Sequence, residues 1–581
     1  MFLEEKIGRT ADFRRIRDLP RRKWQEDPNL EQLRVLLTKK YKYDHNKCKP
    51  LCHGCRVDVL NGAQATFIRE GYNLPYGAFG SLRAGAGKTL VSFLLPAVIS
   101  TPNPWLVIPA AQEDKTRADW LAYGRHWQLT PVNVVTYEFL SHPKNLNWFW
   151  STKPTMLICD ESHKLKSSGA KAWKRMRKYL EANPQVKAFF MTGSGAGRKL
   201  GEYWHYVNMC LKDGSPLPKN PMEFVKWGYA LDEKIPEEYR LDPGALFELP
   251  GHEDEEDTLR RARLKYRDRF VETYGVISTL EDVPPVGLKI WTTTIELPKD
   301  VQANMAKMRK EYTTPGGDQF KYALELWRHC RSYGAGVYQV WRPPPPLLWC
   351  TARGQWYSFV REKLRYAHKF DAELHLIAEI EAGNIDDGGL LKAWRAVESL
   401  YNPDEHKVDV WAHDAVLDYA EEWLKNNRGL VWTQYPLFGE KLEQRTGVPY
   451  FREGGLSKAG KLVDNYDGSA IVSIDSCSEG HNLQVYNSAN LVIAPMSTGA
   501  GWEQLLARTH RDGQEADEVT CEVVLTSKES YRCLAQAYRD AVFATETSGQ
   551  PQRLCYAEKH FGPEIWALIE EPEEWKDEYG I

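Results

Sequence analysis

Short apolar runs alternate with helical stretches along most of this chain. After about residue 60 the pattern predicts five strands, which are Tyr76–Leu82, Trp105–Ala110, Asn133–Tyr137, Thr155–Asp160 and Ala188–Gly193. The same rhythm returns with four more strands, which are Gly429–Thr433, Ala470–Ile474, Asn490–Ala494 and Thr520–Leu525. Strands that alternate with helices form βαβ units and a mostly parallel sheet. The pattern therefore predicts an α/β fold with two parallel-sheet domains in tandem.

The segments outside this rhythm suggest the domain boundaries. The run Arg342–Pro346 excludes a helix interior or a central strand at that point, because proline has no backbone N–H. We predict a basic N-terminal extension at 1–58, a first domain at 59–290 with a helical insertion at about 215–275, a helical and proline-rich insert at 291–405, a second domain at 406–545 and an acidic tail at 546–581.

Length and composition exclude several protein classes. The 581 residues suffice for about four domain-sized units. Hydrophobic residues make up 42% of the chain and charged residues 27%, which is typical of a globular protein and argues against disorder. The most apolar stretch, Leu90–Ile99, is far shorter than the roughly 20 residues that span a bilayer, and the first residues lack the apolar core of a signal peptide. We therefore expect a cytoplasmic protein.

Charge is unevenly distributed, although the net charge is only −3. Residues 1–50 contain 14 Lys and Arg against 8 Asp and Glu, whereas residues 551–581 contain 3 against 8. The basic segment could bind phosphates, or it could be a solvated surface. Bulk charge alone therefore does not identify a nucleic-acid-binding protein.

The segment Leu82–Thr89, LRAGAGKT, has the composition of a phosphate-binding loop. It follows a predicted strand and precedes an apolar helix, which is the context that such a loop requires. Its glycines let the backbone curl so that N–H groups point toward phosphate oxygens. Lys88 would contact the terminal phosphates, and we expect it to be exposed when no nucleotide is bound; a chance glycine loop is the alternative. The predicted nucleotide-binding residues of this loop are Gly85, Ala86, Gly87, Lys88 and Thr89, of which Thr89 would also bind Mg²⁺.

A second apolar strand ends in the acidic pair Asp160 and Glu161. Asp160 would hold Mg²⁺, and Glu161 would orient and deprotonate an attacking water, because phosphoryl transfer depends on positioning and charge neutralisation. A strand followed by an ordinary polar turn is the alternative. The pair follows the glycine loop by about 70 residues with two predicted strands between, and this order favours the catalytic interpretation.

Arg508 and Arg511 are three residues apart in the segment Trp502–Gln514. On a helix this spacing places both side chains on one side, from which they could act as arginine fingers on a nucleotide held by another domain. In isolation, a pair of surface arginines would be the simpler interpretation.

Taken together, these motifs resemble the core of superfamily-two helicases, and specifically the Swi/Snf-type DNA translocases. The resemblance covers roughly residues 58–530 but leaves the insert at about 310–405 uncovered. The compact length resembles the phage-encoded branch of the group. The matching segments are Gly87–Thr89, Asp160–His163, Thr192–Ser194, Leu200–Trp204, Gly480–Leu483 and Gln504–Gln514.

The match has three departures. Leu82 stands at the first glycine position of the strict loop pattern, and Ser162 replaces an alanine. Gly195 replaces the proline usual in the third motif, which could weaken the coupling between hydrolysis and DNA movement.

The resemblance implies two RecA-like domains and adds several site residues. Gln64 matches a glutamine that reads the adenine edge, although an exposed helical glutamine is equally compatible with the sequence. Nucleotide contacts are also implied for Gly480 and Gln504. Nucleic-acid contacts through hydroxyl or amide groups are implied for Thr136, Thr192 and Asn482.

The segment His45–Cys55 has zinc-ligand character. Cys48, Cys52 and Cys55 with His45 could bind Zn²⁺, although the spacing is tighter than usual. An iron–sulfur cluster and plain reduced cysteines are the alternatives.

We therefore expect an ATP- and Mg²⁺-dependent translocase or helicase that acts on DNA, with duplex DNA the favoured partner. Two alternatives stay open: a helicase that separates DNA or RNA strands, and a non-catalytic clamp that binds nucleic acid and is switched by ATP. An intact Glu161 and both arginines argue against the clamp, because a clamp does not require them.

Overall fold

A computed structural model of the protein describes residues 6–22, 60–83, 85–125, 127–193, 198–251, 258–279, 283–315, 320, 323–366, 373–477 and 480–570. The chain separates into two compact units. Unit 1 comprises Met1–Val283 with Arg539–Tyr556, and unit 2 comprises Pro284–Tyr538 with Ala557–Ile581. Each unit is built on one large sheet in which neighbouring strands are parallel.

Unit 1 contains a six-stranded sheet in the order β3-β2-β4-β5-β1-β6. The strands are β1 (Gly77–Ser81), β2 (Pro104–Ile108), β3 (Asn133–Thr136), β4 (Met156–Cys159), β5 (Lys187–Thr192) and β6 (Val276–Ser278). The helices are α1 (Ala11–Arg17), α2 (Gly62–Asn73), α3 (Lys88–Ile99), α4 (Glu113–Tyr123), α5 (Tyr137–Ser141), α6 (Trp148–Thr152), α7 (Lys171–Ala182), α8 (Trp204–Leu211), α9 (Pro221–Leu231) and α10 (Thr258–Val271).

The strands of unit 1 are mostly apolar because both faces of the sheet are covered. Successive residues point to opposite faces, so Phe79 and Phe190 pack in one cluster with α1 and α7. Their neighbours Ala78 and Phe189 pack in a second cluster with α2 and α3. This double burial accounts for the short apolar runs that the sequence analysis identified as strands.

Residues 6–22 are folded onto unit 1 and are not a free basic arm. Phe13 and Ile16 are fully buried in its core. Arg15 donates hydrogen bonds to the backbone carbonyls of Asp213, Ser215 and Leu217 at 2.6–2.9 Å. The charge count did not detect this arrangement, because the apolar face of α1 is carried by only a few residues. Residues 23–58 lie outside the described part of the chain.

Arg22 forms the most buried ion pair of this N-terminal segment. Its guanidinium makes two hydrogen bonds of 2.6 Å to the Glu70 carboxylate, and both side chains are less than 5% exposed. Glu70 also accepts the backbone N–H of Gly275 at 2.6 Å. The pair therefore ties the N-terminal segment to α2 and to the turn before β6.

Unit 2 contains a seven-stranded sheet in the order β11-β12-β10-β13-β14-β7-β15, and a separate antiparallel pair, β8-β9. The strands are β7 (Gly287–Thr294), β8 (Val337–Trp341), β9 (Lys407–Trp411), β10 (Gly429–Thr433), β11 (Tyr450–Phe451), β12 (Ala470–Ser473), β13 (Ala489–Val492), β14 (Glu518–Leu525) and β15 (Glu558–His560).

The helices of unit 2 include a group, α13 to α15, that packs around its own tryptophan-rich core, and the last helices continue past the predicted tail boundary. They are α11 (Lys299–Glu311), α12 (Ala323–Gly334), α13 (Leu347–Tyr366), α14 (Glu373–Glu381), α15 (Leu390–Glu398), α16 (Pro403–His406), α17 (Ala415–Asn426), α18 (Pro436–Thr446), α19 (Ile474–Cys477), α20 (Gly499–Leu506), α21 (Lys528–Ser548), α22 (Arg553–Tyr556) and α23 (Pro563–Glu570). Of these helices, α22 and the part of α21 from Arg539 onward belong to unit 1.

The predicted fold class is confirmed: the protein is α/β, with two parallel sheets and helical insertions, as expected for two RecA-like domains in tandem. All nine predicted strands are present within two residues of their predicted ends. Among the described residues, no helix is both long enough and apolar enough to cross a bilayer.

Two segments differ from the sequence prediction. Residues 287–294 were divided between the first domain and the insert, but they form β7, which pairs with β14 over eight residues. Residues 546–570 were assigned to a tail, but β15 pairs with β7 and the buried side chains of Leu554 and Ile565 pack inside the protein. The excess of Asp and Glu that suggested a tail comes mainly from the last residues of the sequence, and it gave no indication of these buried apolar positions.

The Arg22–Glu70 pair generates a stability prediction. Substituting Arg22→Ala leaves a buried carboxylate without its cation, and we expect the free energy of unfolding to fall by about 3–5 kcal/mol. The adjacent Arg21 pairs with Glu272 at a more exposed position, so Arg21→Ala should cost only about 0–1 kcal/mol. Denaturant unfolding of both variants checks this, and equal losses would contradict a structural role for the buried pair.

Candidate functional site

The glycine loop of unit 1 connects β1 to α3 and leaves the start of that helix open to an anion. Gly85 and Gly87 have positive φ angles of 93° and 77°, which glycine adopts at no steric cost. A Cβ on Gly87 would stand 2.1 Å from the Gln64 side-chain nitrogen, so only glycine fits there. No side chain caps α3, and its first turn contains no acidic residue. The free backbone N–H groups and the helix dipole therefore suit a phosphate.

Lys88, the first residue of α3, is buried beside Glu161. Its Nζ lies 3.2 Å from Glu161 Oε1 and 3.4 Å from the Leu82 carbonyl oxygen, and the side chain is only 7% exposed. The expectation that Lys88 would be exposed is therefore wrong. A carboxylate within the site compensates the ammonium charge, which allows the side chain to remain buried without a phosphate partner.

Asp160 and Glu161 follow β4 at the same edge of the sheet, because β4, β5 and β1 are parallel. The Tyr137 hydroxyl donates to the Asp160 carbonyl at 2.7 Å, and the Glu161 N–H donates to Asp160 Oδ1 at 2.9 Å. Glu161 adopts a left-handed conformation, with φ 49° and ψ 48°. That conformation is costly for a residue other than glycine and is typical of functional sites.

Burial and neighbouring charges shift the pKa values of the two carboxyl groups in opposite directions. Burial raises the pKa of Asp160, and the negative charge of Glu161 raises it further. Burial would also raise the pKa of Glu161, but the Lys88 ammonium and the His163 ring outweigh it and hold that pKa well below its usual range. His163 Nδ1 lies 3.3 Å from Glu161 Oε2. Glu161 is therefore kept ionised, as a base that accepts a proton must be.

Gln64 lies against the loop, and both ends of its amide have partners. The carbonyl oxygen accepts the Asn61 N–H at 2.9 Å, and the side-chain nitrogen donates to the Ala86 carbonyl at 3.1 Å. Gln64 is thus buried and is not the exposed helical glutamine of the alternative interpretation. Adenine recognition stays a prediction, and it would require these two hydrogen bonds to be exchanged.

The remaining predicted residues of unit 1 have mixed surroundings. Thr89 is half-buried in the first turn of α3, next to the loop. Thr136 is buried, and its hydroxyl accepts the Phe139 N–H at 3.1 Å as the cap of α5. Thr192 is buried at the end of β5. Contacts of Thr136 and Thr192 with DNA stay predictions. Gly195 lies outside the described residues.

In unit 2, α20 ends at Leu506, so Arg508 and Arg511 lie in the turns beyond it. The prediction that both stand on one helix is wrong. The chain leaves the helix at Ala507, and the Arg508 side chain folds back so that its Nε donates to the Gln504 carbonyl at 3.0 Å. The two arginines are brought together by the loop that they contact rather than by helical periodicity.

That loop begins at Gly480, which has a φ of 84°, and it binds both arginines. Arg508 donates to the His481 carbonyl at 2.9 Å, and Arg511 donates to Asn482 Oδ1 at 2.6 Å. Asn482 was predicted to contact nucleic acid, and that contact stays a prediction; its side-chain oxygen accepts from Arg511. The segments Gly480–Leu483 and Gln504–Gln514, both identified in the sequence, are therefore joined by hydrogen bonds.

Asp464 anchors this loop, and the sequence analysis did not identify it. One carboxylate oxygen accepts the Asn482 backbone N–H at 2.7 Å, and the other contacts His481 Nδ1. A second residue that was missed is Gln550, which is fully buried and donates to the Gly193 carbonyl at 2.6 Å, beside the N–H that Gly193 directs at Glu161. Neither residue belongs to a motif, and only the three-dimensional contacts reveal them.

The zinc site predicted from the sequence cannot be compared with the described structure. His45, Cys48, Cys52 and Cys55 lie outside the described residues. Among the residues that are described, no group of three or more His, Cys, Asp or Glu side chains could hold a metal ion. Asp160 and Thr89 fit a Mg²⁺ that arrives with a nucleotide, because such an ion keeps several waters and takes only one or two protein ligands.

Comparison of the chain with protein-family models and with curated proteins gave no match. The resemblance to Swi/Snf-type translocases thus depends on the motifs and stays a prediction.

The Asp464 contacts generate a local prediction. Asp464→Ala removes the acceptor of the Asn482 N–H, so hydrogen exchange at that amide should accelerate at least about 10-fold, which corresponds to roughly 1.4 kcal/mol of local stability. Asp467, three residues away, pairs with Arg428 at the surface, so Asp467→Ala should leave this exchange rate unchanged. Equal exchange rates in the two variants would contradict the anchoring role.

Proposed function

We propose that the protein is an ATP-dependent DNA translocase or helicase of the Swi/Snf type, which couples ATP hydrolysis to movement along duplex DNA in the cytoplasm. The observation that carries this proposal is the position of Lys88 and Glu161. A lysine and an ionised carboxylate stand 3.2 Å apart at the start of a helix without a side-chain cap. This arrangement is what a site for nucleoside triphosphate hydrolysis requires.

Each residue of unit 1 has a distinct proposed task. Backbone N–H groups from Gly85 to Thr89 bind phosphate oxygens, and Lys88 moves from Glu161 to the terminal phosphates. A Mg²⁺ held by Thr89 and Asp160 would neutralise developing charge. Glu161, released from the lysine, orients a water and accepts its proton. The ion pair thus keeps both groups in place until a nucleotide binds.

The arginines of unit 2 are assigned to the charge that develops in the transition state. Arg508 and Arg511 are both held by the loop at 480–483, so their positions are fixed together. A non-catalytic clamp would not need this arrangement, which favours hydrolysis. Gly480 and Gln504 are proposed to contact the same nucleotide, following the resemblance.

The first test measures ATP hydrolysis with duplex DNA, single-stranded DNA, RNA and no nucleic acid. We expect stimulation that is strongest with duplex DNA. Glu161→Gln should retain ATP binding but lower turnover by about 10²- to 10⁴-fold, because it removes a positioned base. Lys88→Ala should abolish hydrolysis. Glu422→Gln, at an exposed position of α17, serves as the control and should behave as the unmodified protein does.

Two outcomes would contradict this proposal. Normal turnover in Glu161→Gln would exclude its role as the base. Nucleotide binding without turnover in the unmodified protein, under every nucleic-acid condition, would instead identify the ATP-switched clamp.

The second test addresses the arginines. Arg511→Ala should lower turnover by about 10³-fold while ATP affinity changes much less, because an arginine finger acts on transition-state charge. Arg511→Lys should recover little activity, since lysine lacks the planar fork. Arg508→Ala should behave similarly but also lower the melting temperature, because Arg508 is buried. Arg445→Ala, at the surface of α18, is the control. Equal losses of ATP affinity and turnover would point to a structural role.

A further inference from the structure

Helix α7 and the turn before it carry a dense positive charge. Between Ser162 and Leu180 the sequence contains seven Lys and Arg and no Asp or Glu. Six of the seven are exposed or half-buried, in a chain whose net charge is −3. They are Lys164, Lys166, Lys171, Lys174, Arg177 and Lys178.

The helix separates its charge from its apolar residues. At 100° per residue, its four outward cations fall within an arc of about 120°. The residues on the opposite side of the helix, including Trp173, Met176 and Leu180, are buried in the core of unit 1. Residues 164–178 expose no large apolar side chain. The outward face is therefore both rigidly supported and purely polar.

This arrangement of charge does not stabilise the helix. Lys171 and Lys174 lie in the first turns, which contain no acidic residue and no side-chain cap, so both oppose the helix dipole. Glu181, at 3.7 Å from Arg177, is the one acidic neighbour on the described helix that pairs with an outward cation. An external anion at the first turn of the helix would be stabilised by the dipole.

Arg175, the one inward-facing cation of α7, fixes the orientation of the helix. Arg175 is buried, and its guanidinium donates to the carbonyls of Leu140 and His142 at 2.6 and 2.8 Å. These two residues follow Thr136 by only a few positions, at the end of α5. The basic face is thus attached to the end of α5 by two hydrogen bonds.

We propose that the outward face of α7, with Lys164 and Lys166, binds the phosphate backbone of duplex DNA. This inference depends on the proposed function, and it identifies where unit 1 contacts the partner. Lys171 and Lys178 stand about 10 Å apart along the axis, so each can contact a separate phosphate. The absence of exposed aromatic side chains at residues 164–178 favours duplex DNA over single strands, whose bases stack on such side chains.

The experiment measures the salt dependence of DNA binding by the full-length protein. Lys171→Gln with Lys178→Gln should flatten the log–log slope of affinity against salt by about 0.9 for each phosphate that is no longer neutralised, or about 1.8 in total. The control removes the same charge from α11 of unit 2, as Lys307→Gln with Lys310→Gln, and should keep the original slope. Lys171→Arg with Lys178→Arg keeps the positive charge, so this variant should also keep the original slope.

The melting temperature separates folding from binding. Because Lys171 opposes the helix dipole and Lys178 is exposed, the glutamine variant should melt at nearly the same temperature as the unmodified protein or higher. Two outcomes would assign the effect to structure and overturn the proposal. One is a flattened slope together with a lowered melting temperature in the glutamine variant. The other is a slope in the arginine variant that is as flat as the slope in the glutamine variant.

Three further outcomes distinguish this inference from the proposed function. If the unmodified protein binds duplex DNA and the glutamine variant keeps its slope, the surface assignment is wrong and the proposed function stands. If the unmodified protein does not bind DNA, both fail. If it binds a double-stranded RNA more tightly than DNA and the variant weakens that binding, DNA is the wrong partner for this face.

Discussion

The parallel register of β4, β5 and β1 is the constraint on which the candidate site of unit 1 depends. In a parallel sheet all strands end at one edge, so groups far apart in the sequence meet there without further guidance. Pairing of Ser81 with Thr192, and of Cys159 with Phe190, brings the glycine loop, the acidic pair and Gly193 to the same edge. The Lys88–Glu161 contact and the Gly193 N–H directed at Glu161 both follow from this register. Apolar burial on both faces of the sheet keeps the register in place.

The site residues of unit 2 depend on a different kind of interaction. Arg508 donates to the Gln504 carbonyl of α20 and to the loop at 480–483, and Arg511 donates to the same loop, so side-chain hydrogen bonds position both arginines. That loop is in turn held by Asp464. These contacts depend on a few hydrogen bonds and not on a buried apolar sheet. We therefore expect single substitutions to disturb the geometry of this site more than that of the unit 1 site.

The sequence predicted the fold class and the strands because burial on both faces leaves a strong local signal in residues such as Phe189 and Ile158. The glycine loop and the acidic pair could also be predicted, since each occupies a few consecutive residues after a strand. Partners distant in the sequence could not. Strand β7 has an ordinary amphipathic pattern, and nothing local indicates that it joins a sheet more than 200 residues later. Lys88 was expected to be exposed because its partner, Glu161, follows it by 73 residues. Asp464 carries no motif at all.

The pairing of β7 with β14 and β15 has a consequence for how the chain is made. Strand β7 is synthesised well before its two neighbours in the sheet, which are completed only at residues 525 and 560. Unit 1 also waits, because Asp540, Glu546 and Gln550 bind Arg198, Arg263 and Gly193 within it. Contacts between such distant segments form slowly, and unpaired strand edges favour aggregation. The six strands of unit 1 are complete at residue 278, but several contacts of each unit require residues 540–560, so neither unit obtains all its contacts from one consecutive segment of the chain.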